Sequence, residues 1–526
     1  MSASREKKIR QELAAQGVPD IKEIRAAEER KQQRRTNILY GGIAAAFVLV
    51  AAALLVWNSN IIQRGSTAIS VGNEKYSAAE VDYYYRNAVN SVLSSDYASL
   101  FSLNTSLPLQ QQNLSDLDTM ILGITLEEDE ELSWHDYFVG LTKDSLVQQT
   151  ALLKGANEAG YKLSDEAKAA LADTMEQLAS YAKQSGVSTN AYLKSIYGAS
   201  MTTSTFEKLL TDATLTSAFQ QEYIDGLDYT DAEIDKYYAE NSEYIDIVSY
   251  EYVIFDGEAE STKDADGKTV EPTDEAKAAA KAAAEAAAKA AMARYQAGED
   301  LETIAKDYDM ANHVSVDAGT NSGGVLQEWL FADGRVAGDK TQIENGTDFY
   351  VLGFRDRSRE EYLTVNVRHI LCKVDDSKLD TKADDYKDKL QDLIDAEKAE
   401  ADAILKEWQS GAKTAESFAE LANKKSDDGG SNTNGGLYED VYKGQMVTEF
   451  EDWCFADGRQ VGDTGIVFVE GAGYTGYHVM YFDGFSEPYW KLLAINHKMS
   501  DDYNAWFEGL MDGLTAEEHS GMKYVG

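Results

Sequence analysis

The sequence predicts an α+β multidomain chain: one N-terminal transmembrane helix, an all-α block, two consecutive α+β units and a C-terminal helical return. Three observations carry this. Twenty residues without a charge, Ile38 to Trp57, follow a polar and basic tail. From Ser77 to about residue 245, apolar residues recur at three- and four-residue spacing behind helix-start signals. Finally, Trp329-Leu-Phe-Ala-Asp-Gly-Arg335-Val-Ala-Gly-Asp339 recurs 124 residues later as Trp453-Cys-Phe-Ala-Asp-Gly-Arg459-Gln-Val-Gly-Asp463. An internal repeat of that length marks two copies of one structural unit.

At 526 residues the chain is too long for one core. Its 43% hydrophobic content is that of a folded protein. The formal net charge is -42, and residues 1–37 hold ten Lys/Arg against six Asp/Glu, so the remainder carries -46. An acidic body repels phosphates, which excludes nucleic acid and anionic lipid as partners of that body. Cys372 and Cys454 are too few for a disulfide framework and have no metal spacing. Leu330 stands where Cys454 does in the repeat, so Cys454 reads as a small buried hydrophobe.

In chain order, residues 1–37 form a basic tail expected in the cytoplasm. Residues 38–57 would rise about 30 Å as a helix, enough to cross a bilayer. A cleaved signal would have a shorter apolar run and a small-residue cleavage site, so an uncleaved anchor is expected. The basic flank then places the bulk of the chain on the extracytoplasmic side of the cell membrane. Residues 58–245 open with a short strand, Ala68–Val71, and a turn at Gly72-Asn73. Helix-start signals follow at Ser77-Ala-Ala-Glu80, Ser133-Trp-His-Asp136 and Thr230-Asp-Ala-Glu233. Tyr83, Tyr84 and Tyr85 fit either a binding surface or the core of this block, and helical periodicity favours the core. Residues 246–360 and 361–485 are the two α+β units. The first has the alanine-rich helix Asp274–Gln296, whose composition reflects helix propensity. Residues 486–526 carry Trp490, Trp506 and Phe507 on amphipathic segments that need apolar cover, and they are expected to pack back on the helical block.

The second unit holds the motifs with chemistry. It opens with Val367-Arg368-His369-Ile370-Leu371, continues through Ser426-Asp-Asp-Gly-Gly-Ser431, Gly435-Gly436 and Gly444-Gln445-Met446 with Phe450, and closes with Gly476-Tyr477-His478-Val479-Met480. In this order the motifs resemble the parvulin-type (PpiC, rotamase) peptidyl-prolyl cis-trans isomerase domain of the SurA and PrsA foldases. The resemblance implies His369, Asp428 and His478 as the catalytic group. It further implies Met446, Phe450, Leu437 and Thr475 as the walls that hold a proline ring. It also implies a SurA-like chaperone domain for the helical block.

The residue types suit the reaction. Rotation about an Xaa–Pro bond breaks amide resonance, with a barrier near 18–20 kcal/mol, and needs no bond made or broken. An apolar pocket holding the ring, beside imidazoles and a carboxylate that fix local polarity, is a coherent catalyst. No metal, phosphate-loop or nucleophile-elbow signature is present, so no cofactor is expected. One departure stands out: Gly435-Gly436-Leu437-Tyr438-Glu439 replaces the Gly-Gly-Asp-Leu-Gly usual in that family. Lys373 is followed by Val374-Asp375-Asp376 rather than a basic cluster, which argues against phosphoserine-proline substrates.

The first unit aligns Tyr252 with His369 and Tyr350 with His478, so it is expected to be a degenerate copy without catalysis. The function expected from the whole is a membrane-anchored extracytoplasmic foldase acting on unfolded secreted polypeptides with Xaa-Pro bonds. The alternative is a non-catalytic holdase whose parvulin-like units only bind clients, and the altered glycine loop speaks for it.

Overall fold

The computed structural model describes residues 48–50, 65–127, 130–263, 268–471 and 473–526. The backbone contacts divide the chain into two units, one drawing on its N-terminal part up to Leu227 together with Tyr503–Gly526, the other comprising Asp228–Asp502.

The first unit begins with the hairpin β1 (Thr67–Val71) and β2 (Glu74–Ser77), turned at Gly72 in the left-handed region. Helix α1 (Ala78–Leu93) starts directly behind it. The Ser77 hydroxyl accepts from the Glu80 N–H while the Glu80 carboxylate accepts from the Ser77 N–H, a reciprocal cap. The long helices α2 (Trp134–Ala159), α3 (Asp165–Gln184) and α5 (Thr203–Asp225), with the shorter α4 (Thr189–Tyr197), make up most of the rest of the block. Its main core joins Ile69, Val71, Val81 and Tyr85 to Trp134, Phe138 and Leu146. Tyr83 packs on Tyr197 and Phe206 instead of facing solvent alone.

The second unit starts at helix α6 (Asp231–Asn241) and contains two four-stranded antiparallel sheets. In the first, β3 (Ile247–Phe255) is followed by α7 (Asp274–Gln296) and the short α8 (Leu301–Ala305). Then come β4 (Ala311–Gly319), β5 (Lys340–Asn345) and β6 (Asp348–Ser358). The strand order is β4-β3-β6-β5.

In the second sheet, β7 (Leu363–Lys373) is followed by α9 (Tyr386–Ser410) and α10 (Ala415–Lys425). Then come β8 (Leu437–Val441), α11 (Thr448–Cys454), β9 (Thr464–Glu470) and β10 (Thr475–Pro488). The order is β8-β7-β10-β9, so each sheet places its first and last long strands side by side at the centre.

Strand alternation gives this second sheet two different faces. Ile370 and Cys372 of β7 join Val479 and Tyr481 of β10 under α9 and α10, against Ile404, Trp408 and Phe418. Val365 and Val367 lie on the other face with Met480 and Phe482, covered by Phe450 and Cys454 of α11. Both cysteines are buried free thiols, and burial pushes each up to about 12.

Helix α12 (Tyr489–Met511) carries the chain out of the second unit at Asp502. In the second unit its Trp490 and Ala494 pack with Ile234 and Ile245. In the first, Trp506 stacks on Tyr223 at 4.1 Å and Gly155 admits Leu510 and Phe219 at about 3 Å from where a Cβ would stand. The last strand, β11 (Ala516–Glu518), pairs with β1.

The expected fold class needs two corrections. The transmembrane helix assigned to residues 38–57 lies outside the described residues except at 48–50, and among the described residues no helix is long and apolar enough to cross a membrane. The cytoplasmic tail lies wholly outside them. The block read as all-α also holds a three-stranded sheet, ordered β11-β1-β2. β11 is only three residues long and two are glutamates, so no apolar alternation announces it. Its pairing partner is more than 440 residues away in sequence.

Removing residues 515–526 takes away β11 together with Val525 of the first unit's core. Hydrogen exchange of the truncated chain is expected to show lost amide protection in β1 and the start of α1, with β7 and β10 unchanged.

Candidate active site

The register of β7 against β10 builds the site. His369 lies opposite Met480 and Leu371 opposite His478, so the two histidines are diagonal neighbours on one face of the sheet. Their rings stack with centroids 5.0 Å apart, and the two Nδ1 atoms approach to 2.9 Å. Both are almost fully buried, at 3% and 4% exposure.

Each outer nitrogen has its own partner. His369 Nε2 lies 2.9 Å from Asp428 Oδ2, and His478 Nε2 lies 2.8 Å from the Tyr474 hydroxyl. Asp428 comes from the loop after α10. Its Oδ2 also accepts from the hydroxyls of Ser431 at 2.5 Å and Tyr438 at 3.1 Å, and its Oδ1 from the Gly430 N–H at 3.1 Å. The loop is pinned to the strand, because the His369 N–H donates to the Gly436 carbonyl and the Asp427 N–H to that of Leu371. Gly436 has φ +70, and a Cβ there would collide with the His369 carbonyl, so only glycine allows this approach.

Donor and acceptor counting closes the network. The Asp428 carboxylate takes a proton-bearing His369 Nε2. The Nδ1 pair then needs one proton between them. Either His478 donates and accepts from Tyr474 at Nε2, or a protonated His369 donates and His478 gives its Nε2–H to the tyrosine oxygen. In both arrangements His478 is neutral and every imidazole nitrogen is engaged.

Electrostatics agree. The hydrogen bond from His369 holds the Asp428 carboxyl well below the usual carboxylate range, overcoming burial, with Ser431 and the Gly430 N–H adding to it. Burial first, and then the charge that His369 can carry, lower His478 to about 3, while Asp428 opposes this weakly.

Beside the network is a cavity of roughly 400 Å³ lined by His369, His478, Asp428, Leu371, Tyr438, Met446, Val447, Phe450 and Tyr474, with Lys373, Asp427 and Gln445 at its polar end. Phe450 stands edge-on to both imidazoles, at 5.6 and 5.4 Å. The cavity combines an apolar lining of Met, Val and Phe with a polar one built on the imidazoles and Asp428.

Residues 369–484 match the family model described as Rotamase: PPIC-type PPIASE domain. This stretch is a peptidyl-prolyl cis-trans isomerase domain. Solved structures similar to the chain include the peptidylprolyl isomerase PrsA from Bacillus anthracis, 22% identical over 29% of this chain and 58% of that one, with a TM-score of 0.17. PrsA from Bacillus cereus is 15% identical over 74% and 88%, with a TM-score of 0.16. The foldase protein PrsA from Streptococcus pneumoniae is 12% identical over 76% and 96%, with a TM-score of 0.22. Among curated proteins none matches the sequence.

Of the residues singled out in the sequence, the isomerase domain brings His369, His478, Asp428, Met446 and Phe450 around one cavity. Leu437 and Thr475 do not line it. Tyr438 reaches Asp428, so strand alternation directs its neighbour Leu437 away. Thr475 begins β10, and the preceding Tyr474 takes the place beside His478. Sequence reasoning missed Tyr438, Tyr474, Ser431 and Val447 as site residues. Ser431 closes the Ser-Asp-Asp-Gly-Gly-Ser motif, and the two tyrosines stand next to residues that were chosen, which was the available signal.

Because the folded His478 ring is a weaker base than the unfolded one at 6.5, unfolding takes up a proton between pH 6.5 and about 3. The contribution of His478 to stability is therefore fully present above pH 6.5 and is lost as pH falls; Asp428 adds to the loss below its unfolded value of 3.8. Ring-nitrogen NMR is expected to find His478 neutral from pH 7 down to pH 4. A midpoint near 6.5 for that ring would contradict the network.

Proposed function

We propose that the chain is a foldase: its isomerase domain turns Xaa-Pro bonds in unfolded polypeptide clients, and its remaining parts hold those clients. The carrying observation is the closed His369–His478–Asp428 network beside an apolar cavity. All four imidazole nitrogens are engaged by one another, by Asp428 and by Tyr474, so both rings are held in fixed orientation. What the site supplies is a fixed polar lining together with a ring-sized apolar one, which suits rotation of a bound prolyl amide. A useful acceleration of about 10³–10⁵ requires roughly 4–7 kcal/mol of preference for the twisted amide.

The departure in the glycine loop does not leave the site incomplete. Tyr438, which stands in that altered segment, donates to Asp428 and packs against His369 at 5.2 Å. This favours catalysis over a holdase with an empty site.

The first sheet is proposed to be a non-catalytic relative of the second. Tyr252 lies opposite Leu352 and Ile254 opposite Tyr350, the same diagonal that relates His369 to His478. Their rings are 5.7 Å apart. Tyrosine keeps aromatic bulk and a hydrogen-bonding tip while losing the imidazole. This pair, with the 124-residue repeat and the shared strand order, supports a client-binding or spacing role.

In a cis/trans exchange assay on an Xaa-Pro peptide, His369→Ala or His478→Ala is expected to lower kcat/KM at least tenfold, and Tyr252→Ala to leave it within twofold. Activity unaffected by either histidine change would overturn the assignment.

A further inference from the structure

A second cleft, of roughly 760 Å³, adjoins the isomerase cavity and shares Lys373, Asp427 and Tyr474 with it. A peptide whose proline occupies the first cavity has to leave it along neighbouring surface, and here that surface is a shaped depression rather than a flat rim. Its walls combine two kinds of residue. Tyr386 and Leu390 present apolar surface over the buried Val374, and Asp375, Asp376 and Asp427 present carboxylates. Lys373 is the one cation among the described lining residues, against three anions.

We propose that this cleft is the subsite for a residue flanking the substrate proline, and that it selects lysine or arginine there. A long basic side chain is amphipathic: its methylene stem needs apolar cover and its head a carboxylate. The cleft offers both within one depression. An acidic or phosphorylated flank would instead meet three carboxylates. The inference rests on the isomerase reading and deepens it by naming the substrate class.

The two exposed carboxylates after β7 are the ones to test. Asp375 accepts from the N–H and hydroxyl of Ser377 at 3.1 and 2.5 Å, a turn that asparagine can also close. Asp427 accepts from the Lys373 N–H at 2.9 Å and ties its loop to the strand, so it is left intact.

The experiment is exchange NMR with the full chain on proline peptides that carry Lys, Ala or Glu in turn at the two positions before and the two after the proline. At one of these positions the Lys peptide is expected to exceed the Glu peptide five- to tenfold in kcat/KM. The Lys-to-Glu ratio should fall toward one in Asp375→Asn/Asp376→Asn, and toward one in native protein at high salt. Turnover of all peptides with no charge dependence at any position overturns this inference and leaves the isomerase reading standing, as does a ratio unchanged in the double variant. No turnover of any peptide, including the alanine series, overturns both.

Discussion

Two buried imidazoles can meet on one face of a sheet only if each nitrogen finds a partner, since an unpaired buried polar group costs about 1–3 kcal/mol. That requirement orders the isomerase domain. The diagonal register of β7 and β10 brings the rings together. Asp428 and Tyr474 then have to arrive at the outer nitrogens, from a loop after α10 and from the residue before β10. The tight passage at Gly436 and the backbone bond from His369 to that loop follow from holding Asp428 in place. Removing one member leaves the others buried and unsatisfied, so the network acts as a unit.

The same constraint separates the two faces of the sheet. The face under α9 and α10 is a packed apolar core and carries the stability of the domain. The face under α11 is divided between apolar packing near Val365, Val367 and Phe482 and the histidine network further along β7. Phe450 belongs to both, as a core residue and as the wall touching the two imidazoles. Rigid packing behind it is what keeps an open cavity from collapsing onto the network.

Much of this was legible in the sequence because it is local. His369 and His478 stand in strands flanked by alternating apolar residues, and Met446 and Phe450 are fixed by a turn and the first turn of a helix. Leu437 and Thr475, which do not line the cavity, each stand one residue from a side chain that does. In a strand or at its edge a shift of one residue reverses the face, and a glycine loop gives no period from which to read it. The pairing of β1 with β11 was hidden for another reason: it joins segments more than 440 residues apart through an alanine and two glutamates. The two sheets share one strand order, whereas the direction of each loop side chain depends on contacts that no local pattern encodes.

The central claim is that a proline ring enters the cavity between Met446, Phe450 and the two histidines while its amide rotates. Methyl-labelled methionine NMR on the full chain tests it most directly. Titration with an Xaa-Pro peptide should move the Met446 methyl signal and, in the same sample, produce exchange cross-peaks between the cis and trans forms of the peptide. The matched Xaa-Ala peptide should do neither. Exchange cross-peaks without any change at Met446, or equal shifts with both peptides, would contradict the account.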